Sequence, residues 1–313
     1  MSQSYEHRPV MVDEIVAIFG DVPPGPVVDA TVGGGGHARA LLGAHPQSSI
    51  IGIDRDPAAL EAAGDALAEF GDRVVLRRAR FDAIADVVRD LGHDAISGVL
   101  FDLGVSSPQL DRPERGFSYR EDAPLDMRMD PDGPVTAADV LNTYDEGELT
   151  RLFQANGEHR FARRIARAVV AGRPLASTGD LVEAVKRGVP AAARRTGGHP
   201  AKRVFQAVRI EVNGELDALG PALDAAIGLL APGGRVVTLA YHSGEDRLVK
   251  DRFALAATGG CICPPGLPCV CGAVPTGRLL NRGARKPSAE EIATNPRAEA
   301  ARLRALEKLE VTT

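Results

Sequence analysis

Four successive glycines, Gly33 to Gly36, constrain this chain more than any other feature. The short run Val27-Val28-Asp29 precedes them and reads as a strand; a helical stretch follows from about His37. Glycine loses more conformational freedom on folding than any other residue, so four together are costly without a reason. A backbone that must bend tightly and approach a ligand supplies one. The helix behind the turn offers N–H groups without intrahelical partners. In open α/β sheets, ligands lie at the carboxyl ends of strands, and this is the first such end.

The rest of the first half repeats the pattern. Ser49–Asp54, Val74–Leu76 and Gly98–Asp102 read as further strands, with a helix opened by Pro57 and running to about Phe70. Their continuous apolar runs fit a parallel sheet covered on both faces. From about Ser107 to Glu215 no clear strand is visible, and helical patterns take over. A helix from about Glu215 to Leu230, a turn at Ala231-Pro232-Gly233-Gly234 and a fifth strand, Arg235–Ala240, resume the α/β rhythm. Asn295-Pro296-Arg297 reads as the start of a closing helix with Ala300, Leu303 and Leu306 on one face. The expected architecture is one α/β domain of a doubly wound, mostly parallel sheet, formed by residues 1–108 and 216–313. A mostly helical insert spans 109–215.

Which ligand the first turn takes depends on its acids. Gly33-x-Gly35-x-x-Ala38 loosely fits a dinucleotide fingerprint. Asp54 ends the second strand 21 residues after Gly33, where a carboxylate can accept hydrogen bonds from ribose hydroxyls. That suits NAD or S-adenosylmethionine alike. Asp29, close under the loop, repels a pyrophosphate and attracts the ammonium and sulfonium of S-adenosylmethionine, so the sequence leans toward the latter. A plain loop-capping Asp29 is the alternative. The fourth strand end continues as Asp102-Leu103-Gly104-Val105-Ser106-Ser107-Pro108-Gln109. An exocyclic base amine is a poor nucleophile, because its lone pair is delocalised into the ring. Acceptors such as Asp102, Ser106 and Ser107 would localise it, though a Pro-terminated loop with Ser turns is a common reading too.

These segments resemble the RsmH (MraW) family, S-adenosylmethionine-dependent (cytosine-N4)-methyltransferases of bacterial 16S ribosomal RNA. The resemblance rests on Asp29-Ala30-Thr31 through Gly36-His37, Gly52–Asp56 and Asp102–Asp111. It continues along the chain in His7-Arg8-Pro9-Val10, Arg115–Tyr119, Leu125–Asp130, Phe205–Ile210, Asn213–Leu216, Tyr241–Arg247 and Asn295-Pro296-Arg297. It implies a Rossmann-like S-adenosylmethionine-dependent methyltransferase fold in which the donor is held by Gly35, Gly36, His37, Asp54, Phe81, Asp102 and Gln109; the reading of the turn itself adds Asp29 and Gly34 to the donor site. It implies methylation of one cytidine in the decoding region of 16S rRNA of the small ribosomal subunit, and is compatible with a homodimer. Gly244 departs from the family's usual Leu. Ala298-Glu299-Ala300 replaces a Ser-Arg-Ser type run, so no RNA contact is assigned there.

Charge supports a polyanion partner. The chain carries −5 overall, but Arg151 to Arg209 holds 13 Lys and Arg against three acids, a net +10 that leaves −15 elsewhere. Arg160, Arg163, Arg164 and Arg167 share one helix face, which suits phosphates. Arg194, Arg195, Lys202 and Arg203 could extend it, making 109–215 the expected RNA-recognition domain. A solvated helix face is the bland alternative. Tyr119 or Phe117 could stack on a base or sit in the core. His242, just beyond strand five, is a candidate general base, and with the acceptors Asp102, Ser106 and Ser107 it makes up the candidate catalytic residues.

Two rivals stand beside this reading. One is a nicotinamide dehydrogenase on the same fold; the other is a ribosome-assembly factor without catalysis. No apolar run approaches a membrane span and the N-terminus has no signal-like segment, so a cytoplasmic protein without membrane partners is expected. All four cysteines fall in Cys261-x-Cys263-x5-Cys269-x-Cys271. Four thiolates could bind zinc, but Cys-x-Cys pairs are tighter than the usual spacing, and a reduced loop explains them equally. No metal is therefore assigned from the sequence.

Overall fold

The computed structural model describes residues 9–106, 109, 112–195, 199–264 and 268–310. Seven strands form one sheet in the order β3-β2-β1-β4-β5-β7-β6. They are β1 Pro26–Asp29, β2 Ser49–Asp54, β3 Val74–Arg78, β4 Ile96–Asp102, β5 Leu230–Ala240, β6 Gly277–Leu279 and β7 Arg302–Lys308. β1 to β5 are parallel, and β7 alone runs against its neighbours β5 and β6. The order reverses between β1 and β4, which places the switch point at the carboxyl ends of those two strands. This is a Rossmann-like, doubly wound sheet.

Period-two alternation feeds two cores. Val28, Ile51, Val99, Phe101 and Val236 face one side, against the helices Ile84–Asp90, Glu215–Leu229 and Ser243–Thr258. Val27, Ile50, Leu100, Val237 and Leu239 face the other, against Val12–Phe19, Gly36–Ala44 and Pro57–Leu67. Both faces are thus buried, which is why the strands read as unbroken apolar runs.

The chain divides into two compact units, residues 1–104 with 216–313 and residues 105–215. The second has its own core, built from the helices Ala137–Thr143, Glu146–Ala155, Ala162–Ala171, Thr178–Gly188 and Ala201–Asn213. Three of these helices start with reciprocal capping boxes: Thr136 with Asp139, Asp145 with Glu148, and Ser177 with Asp180. Buried Asn213 ties the segment Met127–Met129 down, accepting from Met129 N at 2.8 Å and donating to Met127 O at 2.7 Å.

Two expectations are corrected here. The closing helix is instead a single 3-10 turn, Pro296–Ala300, followed by the antiparallel strand β7. Leu303 and Ala305 alternate with Arg302 and Arg304. That period of two wins over the i, i+3 spacing of Ala300, Leu303 and Leu306, because an edge of the sheet is there to be paired. The expected turn at residues 231–234 lies inside β5, as an irregularity where the register to β4 shifts between Ile96 and Gly98. No helix among the described residues is long and apolar enough to cross a membrane.

Candidate active site

Three adjacent parallel strands end in aspartate. Asp29 closes β1, Asp54 closes β2 and Asp102 closes β4. Asp29 pairs with Gly52 of β2 and Leu100 of β4, so the other two acids stand two residues further along the same edge of the sheet.

Asp29 is 1% exposed and accepts from Thr31 N at 3.3 Å. Burial pushes its carboxyl up to about 7. His37 and the Thr31 amide oppose that shift, while the charges of Asp102 and Asp54 add to it. Burial also raises Asp54, against the pull of the amides of Asp56 and Gly33. Gly33 N donates to Asp54 Oδ2 at 3.0 Å and Asp56 N donates to Oδ1 at 2.9 Å, so the glycine turn itself fixes this carboxylate. The edge concentrates negative potential in a poorly hydrated place, which favours a cationic ligand and opposes a phosphate.

The turn above is shaped to match. Gly35 caps the helix Gly36–Ala44 at φ 82°, a left-handed conformation that a side chain would strain. A Cβ on Gly36 would lie 2.4 Å from Pro9. Gly34 differs: among the described residues, a Cβ there would meet nothing within 4 Å.

His37, expected to touch the donor, is buried. Its Nε2 donates to Val10 O at 2.9 Å, and Nδ1 stands 3.5 Å from Asp102 Oδ2. Asp102 is 29% exposed at its side chain and accepts from Tyr241 Oη at 2.8 Å. Burial, with Asp102 next, holds the Tyr241 phenol well above its ordinary range, so it stays a donor. Asp102 N donates to Thr31 Oγ1 at 2.7 Å, which ties the end of β4 to the β1 loop. Phe81 begins a 3-10 turn after β3 and meets Phe101 edge-on, with ring centroids 6.1 Å apart.

Ser106 and Gln109 belong to the second unit. Ser106 N donates to Gln109 Oε1 at 3.0 Å, and Gln109 is buried. Ser106 Oγ is buried without a hydrogen-bond partner among the described residues, as suits an acceptor kept for a ligand. Ser107 lies outside the described residues, as do His7 and Arg8.

His242 caps the helix Ser243–Thr258. Its Nδ1 accepts from Gly244 N at 3.2 Å and Glu245 N at 3.4 Å. Nε2 lies 3.0 Å from Glu245 Oε1, though not aligned for a hydrogen bond. With Nδ1 accepting, the neutral ring carries its proton on Nε2, and the lone pair a general base would use is engaged. This geometry gives His242 a capping task.

In the second unit, Arg163, Arg164 and Arg167 lie exposed on the helix Ala162–Ala171, opposite buried Ile165, Ala166 and Val169; exposed Arg160 precedes it. The acids near this face are not limited to the three counted between Arg151 and Arg209. Glu146, just before the counted stretch, lies 3.5 Å from Arg163 and 3.4 Å from Arg167. Arg164 has no acidic partner among the described residues, and Arg160 sits 4.9 Å over the Phe161 ring. Arg194 and Lys202 are exposed, and Arg203 lies 3.8 Å from Glu158. The Arg195 side chain is outside what the structure describes. Tyr119 stacks on exposed His199 at 4.6 Å and meets Phe205 edge-on, while Phe117 is a core residue.

The family model described as the MraW methylase family matches residues 4–309. The chain belongs to this family. It is 54% identical over 313 residues to "Ribosomal RNA small subunit methyltransferase H" of Mycobacterium sp. (strain KMS), covering 97% of this chain and 84% of that protein. A protein of the same name from Heliobacterium modesticaldum is 50% identical over 311 residues, covering 97% of this chain and 99% of that one.

Two residues of this strand-end cluster escape a reading by residue type. Thr31 and Tyr241 each hydrogen-bond Asp102, one from the β1 loop and one from just past β5. Both strands flank β4, so the signal that finds them is strand order, which local patterns do not carry.

Proposed function

We propose that this chain transfers a methyl group from S-adenosylmethionine to the exocyclic N4 amine of a cytidine in the decoding region of 16S rRNA, within the small ribosomal subunit. One observation carries the donor assignment: a buried acid pushed up to about 7 beneath a glycine turn, with two more carboxylates at the same sheet edge. A sulfonium and an ammonium relieve that crowding, whereas the pyrophosphate of a dinucleotide aggravates it. Family membership and the printed names of the relatives support the RNA substrate.

The residues present fit the donor. Asp54, held by two backbone amides, is the acceptor for the ribose hydroxyls. Asp29 faces the positive charge, Gly34 to Gly36 let the backbone come close, and Phe81 offers an apolar surface to the adenine. His37 completes the set by positioning Asp102, and the family resemblance adds Gln109. Bound here, S-adenosylmethionine supplies a methyl carbon made electrophilic by its sulfonium. Asp102 accepts an N–H of the cytosine amine, which turns the nitrogen lone pair out of the ring. It then takes the proton that the methylated amine sheds. Tyr241 and Thr31 fix Asp102 for both tasks. By the sequence pattern of the loop after β4, Ser106 and Ser107 are offered as further acceptors for the amine. His242 holds the helix after β5.

Arg160, Arg163, Arg164 and Arg167 hold RNA phosphates, with Arg194, Arg195, Lys202 and Arg203 extending the surface. Because Glu146 already sits beside Arg163 and Arg167, the other two carry more of the load. Arg160→Ala with Arg164→Ala is expected to flatten the salt dependence of subunit binding by about 2 in logarithmic slope, with donor affinity unchanged. An unchanged slope removes the stripe from the RNA surface.

Mass-spectrometric mapping of rRNA methylation in a strain lacking this protein tests the function as a whole. One decoding-region cytidine should lose its N4-methyl group and regain it on complementation. A full methylation pattern in that strain refutes the proposal and favours the assembly-factor rival.

A further inference from the structure

We infer that Cys261, Cys263, Cys269 and Cys271 form a structural zinc site. The loop that carries them joins the helix Ser243–Thr258 to β6. Its base is well anchored. Thr276 N donates to Ala256 O at 2.9 Å, and a Cβ on Gly259, at φ 62°, would strike the Val274 backbone at 2.4 Å. The tip is not anchored in that way. Ile262 and Val270, the central residues of the two Cys-x-Cys pairs, are 87% and 88% exposed, so neither side chain packs into a core. Nevertheless the four sulfurs converge, all within 4.8 Å of one another, and none is bonded to another.

Their spacing matches a metal tetrahedron. Ligands ~2.3 Å from a central zinc stand about 3.8 Å apart. Cys261 and Cys269 sulfurs are 3.5 Å apart, Cys269 and Cys271 3.5 Å, and Cys261 and Cys271 3.7 Å. A backbone amide points at one of the sulfurs as well: Val270 N donates to Cys263 Sγ at 3.4 Å. Four sulfurs make a soft, closed set suited to zinc, with no position left for water, so the ion's work is to hold the tip together.

The tight Cys-x-Cys spacing, a weak signal in the sequence, finds its reason in this geometry. Each pair contributes two sulfurs from one short segment and turns its central side chain outward to solvent. This inference is independent of the methyl-transfer proposal, since none of the four residues belongs to that site.

The full-length protein, purified without chelator, should contain about one zinc per chain by elemental mass spectrometry. A mercurial that caps thiols should release it in proportion to the thiols consumed. Cobalt(II) put in its place should give the visible bands of a tetrahedral tetrathiolate site. Cys269→Ser with Cys271→Ser should drop the zinc content at least about tenfold. Should that variant not fold, the mercurial release and cobalt spectrum on the unaltered chain decide alone. Four freely titrating thiols with no metal, zinc retained by the double variant, or bound iron instead of zinc would each overturn the assignment.

Discussion

Asp102→Asn slows methyl transfer by about 10²–10⁴-fold in single-turnover assays on small subunits. The substitution keeps the size of the side chain and an oxygen that can accept from Tyr241. It removes the charge that draws on the amine N–H and the oxygen that takes its proton. Tyr241→Phe leaves Asp102 charged but less well oriented, and loses about tenfold. The order of the two effects matters more than either value. Equal losses, or an Asp102→Asn enzyme within a few-fold of wild type, would show that Asp102 is not the group facing the amine.

Asp29→Asn has the opposite sign on stability and on donor binding. In the unfolded chain this carboxyl titrates near 3.8, and in the fold it is pushed up to about 7. Below the lower value it is neutral in both states and opposes nothing. As pH rises through the window between the two, the unfolded chain ionises first, and folding loses up to on the order of 4 kcal/mol. Asn keeps an oxygen for the Thr31 amide and never ionises. The variant is therefore more stable than wild type at pH 8, by roughly 2–4 kcal/mol, with a difference that shrinks toward pH 4. Donor affinity falls at the same time, because the cation loses its counter-charge. Denaturant unfolding across pH checks the first half and calorimetry the second. A variant less stable at pH 8, or one that binds the donor as tightly as wild type, contradicts this role for Asp29.

Why the α/β core can be read from residues is plain in its strands. Val27-Val28-Asp29, Ser49–Asp54 and Ile96–Asp102 are buried on both faces, so they stand out as apolar runs whatever their partners. β7 is harder. Its Arg302, Arg304 and Leu303 mean a strand only because β5 and β6 are there to pair with it, and that edge is assembled from distant segments. The same holds within the site. The glycine turn and the three strand-end acids are local signals with a direct physical cost. Their supporting partners, Thr31 and Tyr241, become visible only once β1 and β5 flank β4. His242 reads differently by residue type and by geometry. A histidine beyond a strand end suggests acid–base chemistry, but the helix that begins at Ser243 needs its first amides capped, and the ring does that. Glu146 fell outside the basic stretch by sequence and inside it in space, because neighbouring helices bring it to Arg163 and Arg167.

The account turns on the preference of the buried acid for a positively charged ligand. Calorimetric titration of the wild-type chain at pH 8 with S-adenosylmethionine, with its uncharged-sulfur product and with NAD measures that preference directly. The predicted result is binding of the methyl donor, no detectable binding of NAD, and a donor-over-product advantage that shrinks in Asp29→Asn. Binding of NAD without binding of the donor, or a donor-over-product ratio untouched by the substitution, is the contradictory result.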